Sequence, residues 1–176
     1  MLTENIPTQN KTDMKAIITE ARNDQLVQDR DRNLRSSNVI IHGVKEEIEN
    51  GKEKDDEFVT AFLGALGIDI NPESTVRLGK SDHNRIRPLK LKMKTEEEKD
   101  AVMARLPNLK NAEDKFKKIS VTDDYTVDER NEIRKWVDKA KEQNRDDNSD
   151  VIWKVRGTPK NGMRLVKFSK QPRPSM

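Results

Sequence analysis

Apolar and cationic residues alternate from Leu89 to Lys94, where the chain reads LKLKMK. Because successive side chains of a strand point to opposite faces of a sheet, this run predicts a strand with one buried face and one row of lysines. Arg85 and Arg87 continue the cationic row upstream. A row of this kind raises the question of what it faces.

Three other short runs are apolar and bounded by turn residues, which also predicts strands. The first is NVIIHGV, the second is STVRLGK and the last is KKISVTD. The four strands are therefore predicted at residues 38–44, 74–80, 87–94 and 117–123.

Two helices are predicted between these strands. Apolar residues at helical spacing from Phe58 to Leu66 predict the first, with Asp55 or Asp56 as its cap and Gly67 as its end. The neighbouring acids are interpreted as a helix N-terminus, where carboxylates offset the macrodipole. TEEE at 95–98 is a capping box that predicts the second helix, running to about residue 106 and stopped by a proline.

The predicted order over residues 38–123 is strand, helix, strand, strand, helix, strand. This is the ferredoxin-like, or split βαβ, arrangement. We therefore expect an α+β protein with a four-stranded antiparallel sheet, both helices on one face and the other face open.

The segment before this sheet is predicted to be helical from Asp13 to about Leu34, because it lacks Gly and Pro. Met14, Ile18 and Ala21 would form the seam if the helix self-associates. Two interpretations stay open: the end of a coiled coil, or a surface helix docked on the domain. Residues 1–12 are predicted to be a flexible lead.

After the sheet, Thr126 and Glu129 form a second capping box, which predicts a helix to about Gln143. VIWKVRGTPKNGMRLVKF at 151–168 predicts a hairpin around a Pro- and Gly-containing turn. The domains expected are a lead and helix at 1–36, a sheet domain at 37–124, a helix-hairpin domain at 125–170 and a disordered tail at 171–176.

Charge changes this picture more than overall composition does. Of the 176 residues 38 % are charged, yet the net charge is only +3. Residues 74–94 hold seven Lys/Arg and one acid, and residues 151–176 hold seven Lys/Arg and no acid. Blocks of cations in a nearly neutral chain are typical of a face that binds a polyanion.

Few residues of the sequence indicate a catalytic or metal-binding site. The chain has no cysteine, which excludes disulfides and thiolate sites and favours a reducing compartment. The two histidines, His42 and His83, have no metal-binding spacing. We therefore expect no enzyme activity, no cofactor and no metal. The absence of an apolar leader or spanning segment favours an intracellular, cytoplasmic protein without membrane contact.

The predicted strand order is similar to that of the RNA recognition motif, in which aromatic residues on the sheet stack on bases. Here the corresponding positions, near Ile40, Pro88 and Lys90, are not aromatic. The open face would instead offer His42, Lys90 and Lys92 for phosphate contacts. The alternative is that these lysines only solvate an exposed sheet.

Several segments resemble the first-open-reading-frame protein of LINE-type retrotransposons. DRDRNLRSSNVIIHGVKEE is similar to the junction between its coiled coil and its RNA-recognition-like domain. IRPLKLKMKTEEEKDAVM resembles its third strand and second helix, and KKISVTDDYTVDERNEIRKW the start of its C-terminal domain. The final hairpin also has a counterpart. The resemblance covers most of residues 30–168, although the coiled coil here is short and the Arg-rich loop after the second strand is reduced.

The resemblance implies a sequence-tolerant binder of single-stranded RNA and DNA with nucleic-acid chaperone activity, found in ribonucleoprotein particles with access to the nucleus. It also implies a homo-oligomer, a trimer if the coiled coil is intact. By matching position it implies nucleic-acid contacts from Arg77, Arg85, Arg87, Lys90, Arg134 and Arg156. With the other basic residues of both domains, which would line a cleft, the predicted set is Arg35, Arg77, Lys80, Arg85, Arg87, Lys90, Lys92, Arg130, Arg134, Lys141, Arg156, Lys160 and Arg164.

A second hypothesis belongs to another class. In it the chain is a protein-interaction or oligomerisation module that binds no nucleic acid, and its lysines only keep the surface soluble. The acidic residues between 45 and 57 would suit such docking.

Overall fold

A computed structural model describes residues 8–47, 50–81, 85–146 and 150–169. The chain divides after Asp124 into two compact units, here called the N-terminal unit and the C-terminal unit. The first seven residues of the predicted lead, the predicted turn at His83 and the predicted C-terminal tail lie outside the described residues.

The N-terminal unit contains a long helix, one antiparallel sheet and the helices that connect its strands. The neighbouring strands of the sheet are all antiparallel, in the order β2-β3-β1-β4. The prediction of an α+β protein with an N-terminal helix and a four-stranded antiparallel sheet is confirmed. The elements are α1 (Thr8–Arg35), β1 (Asn38–His42), α2 (Gly51–Ala65), β2 (Ser74–Arg77), β3 (Leu89–Lys92), α3 (Glu96–Arg105), a 3-10 helix (Leu106–Asn111), α4 (Asp114–Lys117) and β4 (Ser120–Asp123).

The core lies on one face of this sheet. Leu89 and Leu91 of β3 are almost fully buried, and they share one cluster with Ile41 of β1, Phe62 of α2 and Val102 of α3. Burying large apolar side chains is worth roughly 1.5–3 kcal/mol each, so this cluster supplies most of the driving force for folding the unit. The alternation seen in the sequence therefore sets which face of β3 packs against the helices.

The opposite face of the sheet carries the remaining side chains of the strands. Lys90 and Lys92 of β3 lie on it and are half-buried. Ile40 lies between Lys90 and Thr122 of the two neighbouring strands and is only 6 % exposed. At Ile40 this face is therefore closed to solvent.

Two helix boundaries differ from the prediction. α1 begins at Thr8, within the expected flexible lead. α2 begins at Gly51, so Asp55 lies one turn inside the helix and does not cap it. The prediction placed this start too late because GKEK contains no apolar residue and gives no periodic signal. The predicted end is correct: α2 stops before Gly67, which has a φ of +69°.

The C-terminal unit consists of α5 (Val127–Asp146) and a hairpin of β5 (Val151–Arg156) and β6 (Arg164–Ser169). The capping box forms as predicted: the Glu129 amide donates to Thr126 Oγ1 at 3.3 Å, and the Thr126 amide donates to the Glu129 carboxylate at 2.9 Å. Asn144 of α5 bonds both backbone groups of Trp153, at 2.7 and 2.9 Å. These bonds tie the helix to β5.

Candidate nucleic-acid interface

Arg77 at the end of β2 belongs to the set predicted to contact nucleic acid, but the structure places its side chain inside the N-terminal unit. Its side chain is 6 % exposed and forms an ion pair with Asp55 of α2. All five guanidinium hydrogens are used. The Asp55 carboxylate accepts two of them, and the carbonyl oxygens of Val44, Lys45 and Arg87 accept the other three at 2.8–3.1 Å. With no donor left and little exposure, Arg77 holds α2, β2 and the loop after β1 together.

Arg87 and Arg35 are also engaged within the N-terminal unit. Arg87 forms a bidentate pair with Glu46 and donates to the Gly79 carbonyl at 3.2 Å. Hydrogen bonds from Arg87 hold the pKa of Glu46 below its ordinary value. Arg35 bonds Asp31 at 2.8 Å and Asp124 at 2.9 Å. Because both arginines are paired with acids, they present less free charge to a polyanion than the sequence predicts.

The open face of the sheet keeps one cation without an ion pair among the described residues, Lys90. Lys92 is paired with Glu73 at 2.8 Å, but both side chains are about half exposed, so the pair is weak. His42 is exposed, and its Nε2 lies 3.5 Å from Thr122 Oγ1. Lys90 and Lys92 therefore lie on one face as the alternation predicts, but this row presents less free charge than the sequence indicates.

Lys80 and Arg85 lie on either side of residues 82–84, which the structure does not describe, and both are exposed. Neither has an ion-pair partner in the part of the chain that the structure describes. Arg85 also lines a cavity of about 850 Å³ beside β2.

The C-terminal unit has a clear excess of positive charge. Residues 125–176 hold 13 Lys/Arg against eight Asp/Glu, whereas residues 1–124 hold 22 against 24. On α5, Arg130 and Arg134 are exposed, and Arg130 donates to the Tyr125 carbonyl at 2.9 Å. Lys141 pairs with Asp138 on the same exposed helix surface, which is worth only a few tenths of a kcal/mol.

The hairpin at 151–169, here called the basic hairpin, concentrates this charge. It contains five Lys/Arg and no acid. Lys160 lies in its exposed turn, and Arg156 is directly opposite Arg164. Alternation places Lys154, Arg156 and Arg164 on one face, together with the half-buried Phe168.

Aromatic rings accompany these cations. Lys154 Nζ lies 5.6 Å and Arg156 Cζ 4.7 Å from the centroid of Phe168, and Lys167 Nζ lies 4.7 Å from that of Trp153. Sequence reasoning did not select Lys154, Lys167 or Phe168. The alternation in VIWKVR and RLVKF was the available signal, since it pairs these residues once the hairpin register is known.

The predicted oligomerisation residues are solvent-exposed on α1. Met14 is 61 % and Ile18 47 % exposed, and Ala21 is also exposed. Further along the helix, Leu26 and Val27 are exposed to a similar degree. Isolated exposed apolar residues are ordinary, but a helix that leaves this many uncovered is typical of one that packs against another helix.

Within the described residues, no three His, Cys, Asp or Glu side chains are grouped so as to hold a metal ion. No described helix is long and apolar enough to cross a membrane. No protein-family model matches the chain, and neither does any curated protein. The interpretation of the site therefore depends on its charges and geometry.

Proposed function

We propose that this protein binds single-stranded nucleic acid, RNA or DNA, with little sequence preference, chiefly through its C-terminal unit. The observation that carries the proposal is the basic hairpin, which holds five cations and no acid and places three of those cations on one face. Lys80, Arg85 and Lys90 add charge in the N-terminal unit. A small unit in which 13 Lys/Arg outnumber eight Asp/Glu is suited to a polyanion.

Sequence tolerance follows from the type of side chain present. Contacts from lysine and arginine side chains to phosphates carry no base information. The sheet of the N-terminal unit has Ile40 and Lys90 where stacking aromatic residues would be needed to read splayed bases. Binding dominated by phosphate contacts is weakened steeply by salt.

The wider assignment is part of the same proposal. The strand order β2-β3-β1-β4 supports a ferredoxin-like, RNA-recognition-like class for the N-terminal unit. Together with the resemblance to LINE-type first-open-reading-frame proteins, it supports a role as a nucleic-acid chaperone in ribonucleoprotein particles. The exposed apolar residues of α1 support assembly into a homo-oligomer, a trimer if the helix forms a coiled coil.

Fluorescence anisotropy tests the binding directly. Labelled single strands of unrelated sequence, 20 nucleotides long, are titrated with protein between 50 and 300 mM salt, alongside a duplex of the same length. For three to five phosphate contacts we expect log K to fall against log salt with a slope of about −2 to −3.5 on single strands. Affinities that differ strongly among the sequences, or the absence of binding at 50 mM salt, would overturn the proposal.

The second candidate, an assembly module that binds no nucleic acid, is favoured by a different observation. Ion pairs within the N-terminal unit engage three residues that were predicted to contact nucleic acid: Arg35, Arg77 and Arg87. In addition, α1 exposes its apolar residues. Sedimentation equilibrium with and without a single-stranded 20-mer separates the two. An oligomer whose mass is unchanged by the oligonucleotide, and which gives no anisotropy signal, would establish the assembly module.

A further inference from the structure

Two arginines face each other across the basic hairpin without an acid between them. Arg156 and Arg164 are directly opposite in the register of β5 and β6, and both are exposed. Neither has an ion-pair partner among the described residues, and residues 151–169 contain no Asp or Glu. Like charges directly opposite each other on a sheet are destabilising. No acid within the hairpin offsets this repulsion.

One of the two side chains is held in place. The Arg156 guanidinium lies 4.7 Å from the centre of the Phe168 ring, and Nη1 donates to the Val155 carbonyl at 3.1 Å. Cation–π contact and a backbone bond both restrict the side chain. An arginine that is ordered before binding loses less entropy when it contacts an anion.

We infer that Arg156 and Arg164 form a two-armed clamp for a single backbone phosphate, with Phe168 as the residue that positions Arg156. This inference rests on the proposed function and specifies its main contact. The Cβ atoms of residues directly opposite on a sheet are about 4.5–5.5 Å apart. Phe168 is opposite Ile152, so Arg156 extends along the hairpin toward that ring, and Arg164 extends in the same direction when both guanidinium groups contact one phosphate. A phosphate removes the repulsion between the arginines and accepts hydrogen bonds from both planar groups.

The clamp has a signature in binding energies. If both arginines contact one phosphate, their contributions are coupled; if each contacts its own phosphate, their contributions add. We expect Arg156→Gln and Arg164→Gln each to weaken binding roughly tenfold, and the double variant only about ten- to thirtyfold instead of a hundredfold. The salt slope of the double variant should fall by about 0.7, which corresponds to one phosphate on a single strand.

The clamp has a second signature that needs no ligand. Removing one of the opposed charges should stabilise the free C-terminal unit. Both tryptophans, Trp136 and Trp153, belong to this unit, so tryptophan fluorescence follows its unfolding alone. At low salt we expect Arg164→Gln to raise the melting temperature by about 1–5 °C. The gain should largely disappear at about 1 M salt, where charges more than about 3 Å apart are screened.

The experiment uses the full chain, anisotropy with unrelated single-stranded 20-mers, and melting curves for every variant. Lys110→Gln is the matched control, because it removes one exposed charge from the N-terminal unit. Arg164→Lys keeps the charge and removes the planar fork, so it should still weaken binding several-fold. Phe168→Leu keeps an apolar side chain and should weaken binding by a factor similar to Arg156→Gln.

Each outcome decides a different question. If the parent protein does not bind at all, the proposed function fails and the clamp fails with it. If the parent binds, but both glutamine variants bind like Lys110→Gln, the proposed function stands and the clamp is wrong. Losses that add fully in the double variant also contradict the clamp, because they show two separate phosphate contacts. Reduced affinity with a lowered melting temperature in Arg164→Gln would show that this arginine supports the fold.

Discussion

The buried pair of Arg77 and Asp55 gives the sharpest test of how the N-terminal unit uses its charges. We expect Arg77→Met to destabilise this unit severely while leaving nucleic-acid affinity unchanged. Methionine fills a similar volume, so the substitution mainly removes the charge and the five hydrogen bonds. It leaves the Asp55 carboxylate, which is 11 % exposed, without its partner.

The magnitude follows from that burial. Removing one member of a buried ion pair costs about 3–5 kcal/mol, because the remaining charge is desolvated and unpaired. The carbonyl oxygens of Val44, Lys45 and Arg87 also lose their donor, which pushes the expected loss toward the upper end of the range. Replacing both members by apolar residues, as in Asp55→Leu with Arg77→Met, should recover most of the stability, since no buried charge remains.

Urea unfolding followed by circular dichroism at 222 nm measures the free energy of unfolding. Tryptophan fluorescence serves as an internal reference, because both tryptophans lie in the C-terminal unit and should report little change. Arg85→Met, at an exposed position, is the matched control and should change stability by no more than about 0.5 kcal/mol. If Arg77→Met costs less than about 1 kcal/mol and weakens binding to a 20-mer, Arg77 is a phosphate ligand and the structural role argued for it is wrong.

Three further predictions concern other residues. Lys90→Ala should weaken binding by a similar factor for every sequence and lower the salt slope by about 0.7. Lys92→Ala should weaken binding less, because Glu73 already pairs with Lys92. Equal losses of affinity in anisotropy would show that this ion pair opens on binding. The pKa of Glu46 is lowered in the folded state. Its contribution to stability is therefore complete above its ordinary pKa and is lost as pH falls through the lowered one, so the difference in unfolding free energy between the parent and Glu46→Gln should shrink on acidification. A constant difference in urea titrations from pH 6 to 3 would contradict this. Met14→Glu with Ile18→Glu should lower the mass in sedimentation equilibrium to that of a monomer without unfolding either unit, and a parent that is already monomeric at high concentration would refute the coiled coil.

Periodicity predicted the elements of the fold well because burial imposes it. Leu89 and Leu91 alternate with lysines because one face of β3 packs against the helices. This packing does not depend on which residues lie on the other face. The capping boxes at Thr95 and Thr126 were equally readable, because a side chain that bonds a backbone amide three residues later is a local event. The start of α2 was missed because its first turn is exposed and charged, so it carries no apolar signal.

The candidate site was less predictable because it depends on contacts between distant residues. Arg77 and Asp55 are 22 positions apart, and Arg87 and Glu46 are 41 apart. No local pattern distinguishes an arginine that will meet an acid in the fold from one that will not. The basic hairpin was partly predictable for the opposite reason: its strands pair locally, and no acid is available within the hairpin itself.

The comparison of Arg77 with Arg156 shows why net charge is a poor guide to a polyanion surface. Both are arginines on short strands, and both occur in segments with seven cations. Arg77 is enclosed by a carboxylate and three carbonyl oxygens, so its charge strengthens the fold and is lost to any ligand. Arg156 lies opposite another arginine, its guanidinium lies over the Phe168 ring, and the hairpin contains no acid, so under the proposed clamp its charge stays available to an anion. What decides between the two roles is the position of the nearest acid in the folded unit. Lys90 and Lys92 fall between these limits, since Lys92 is paired with the exposed Glu73 and Lys90 has no ion pair among the described residues.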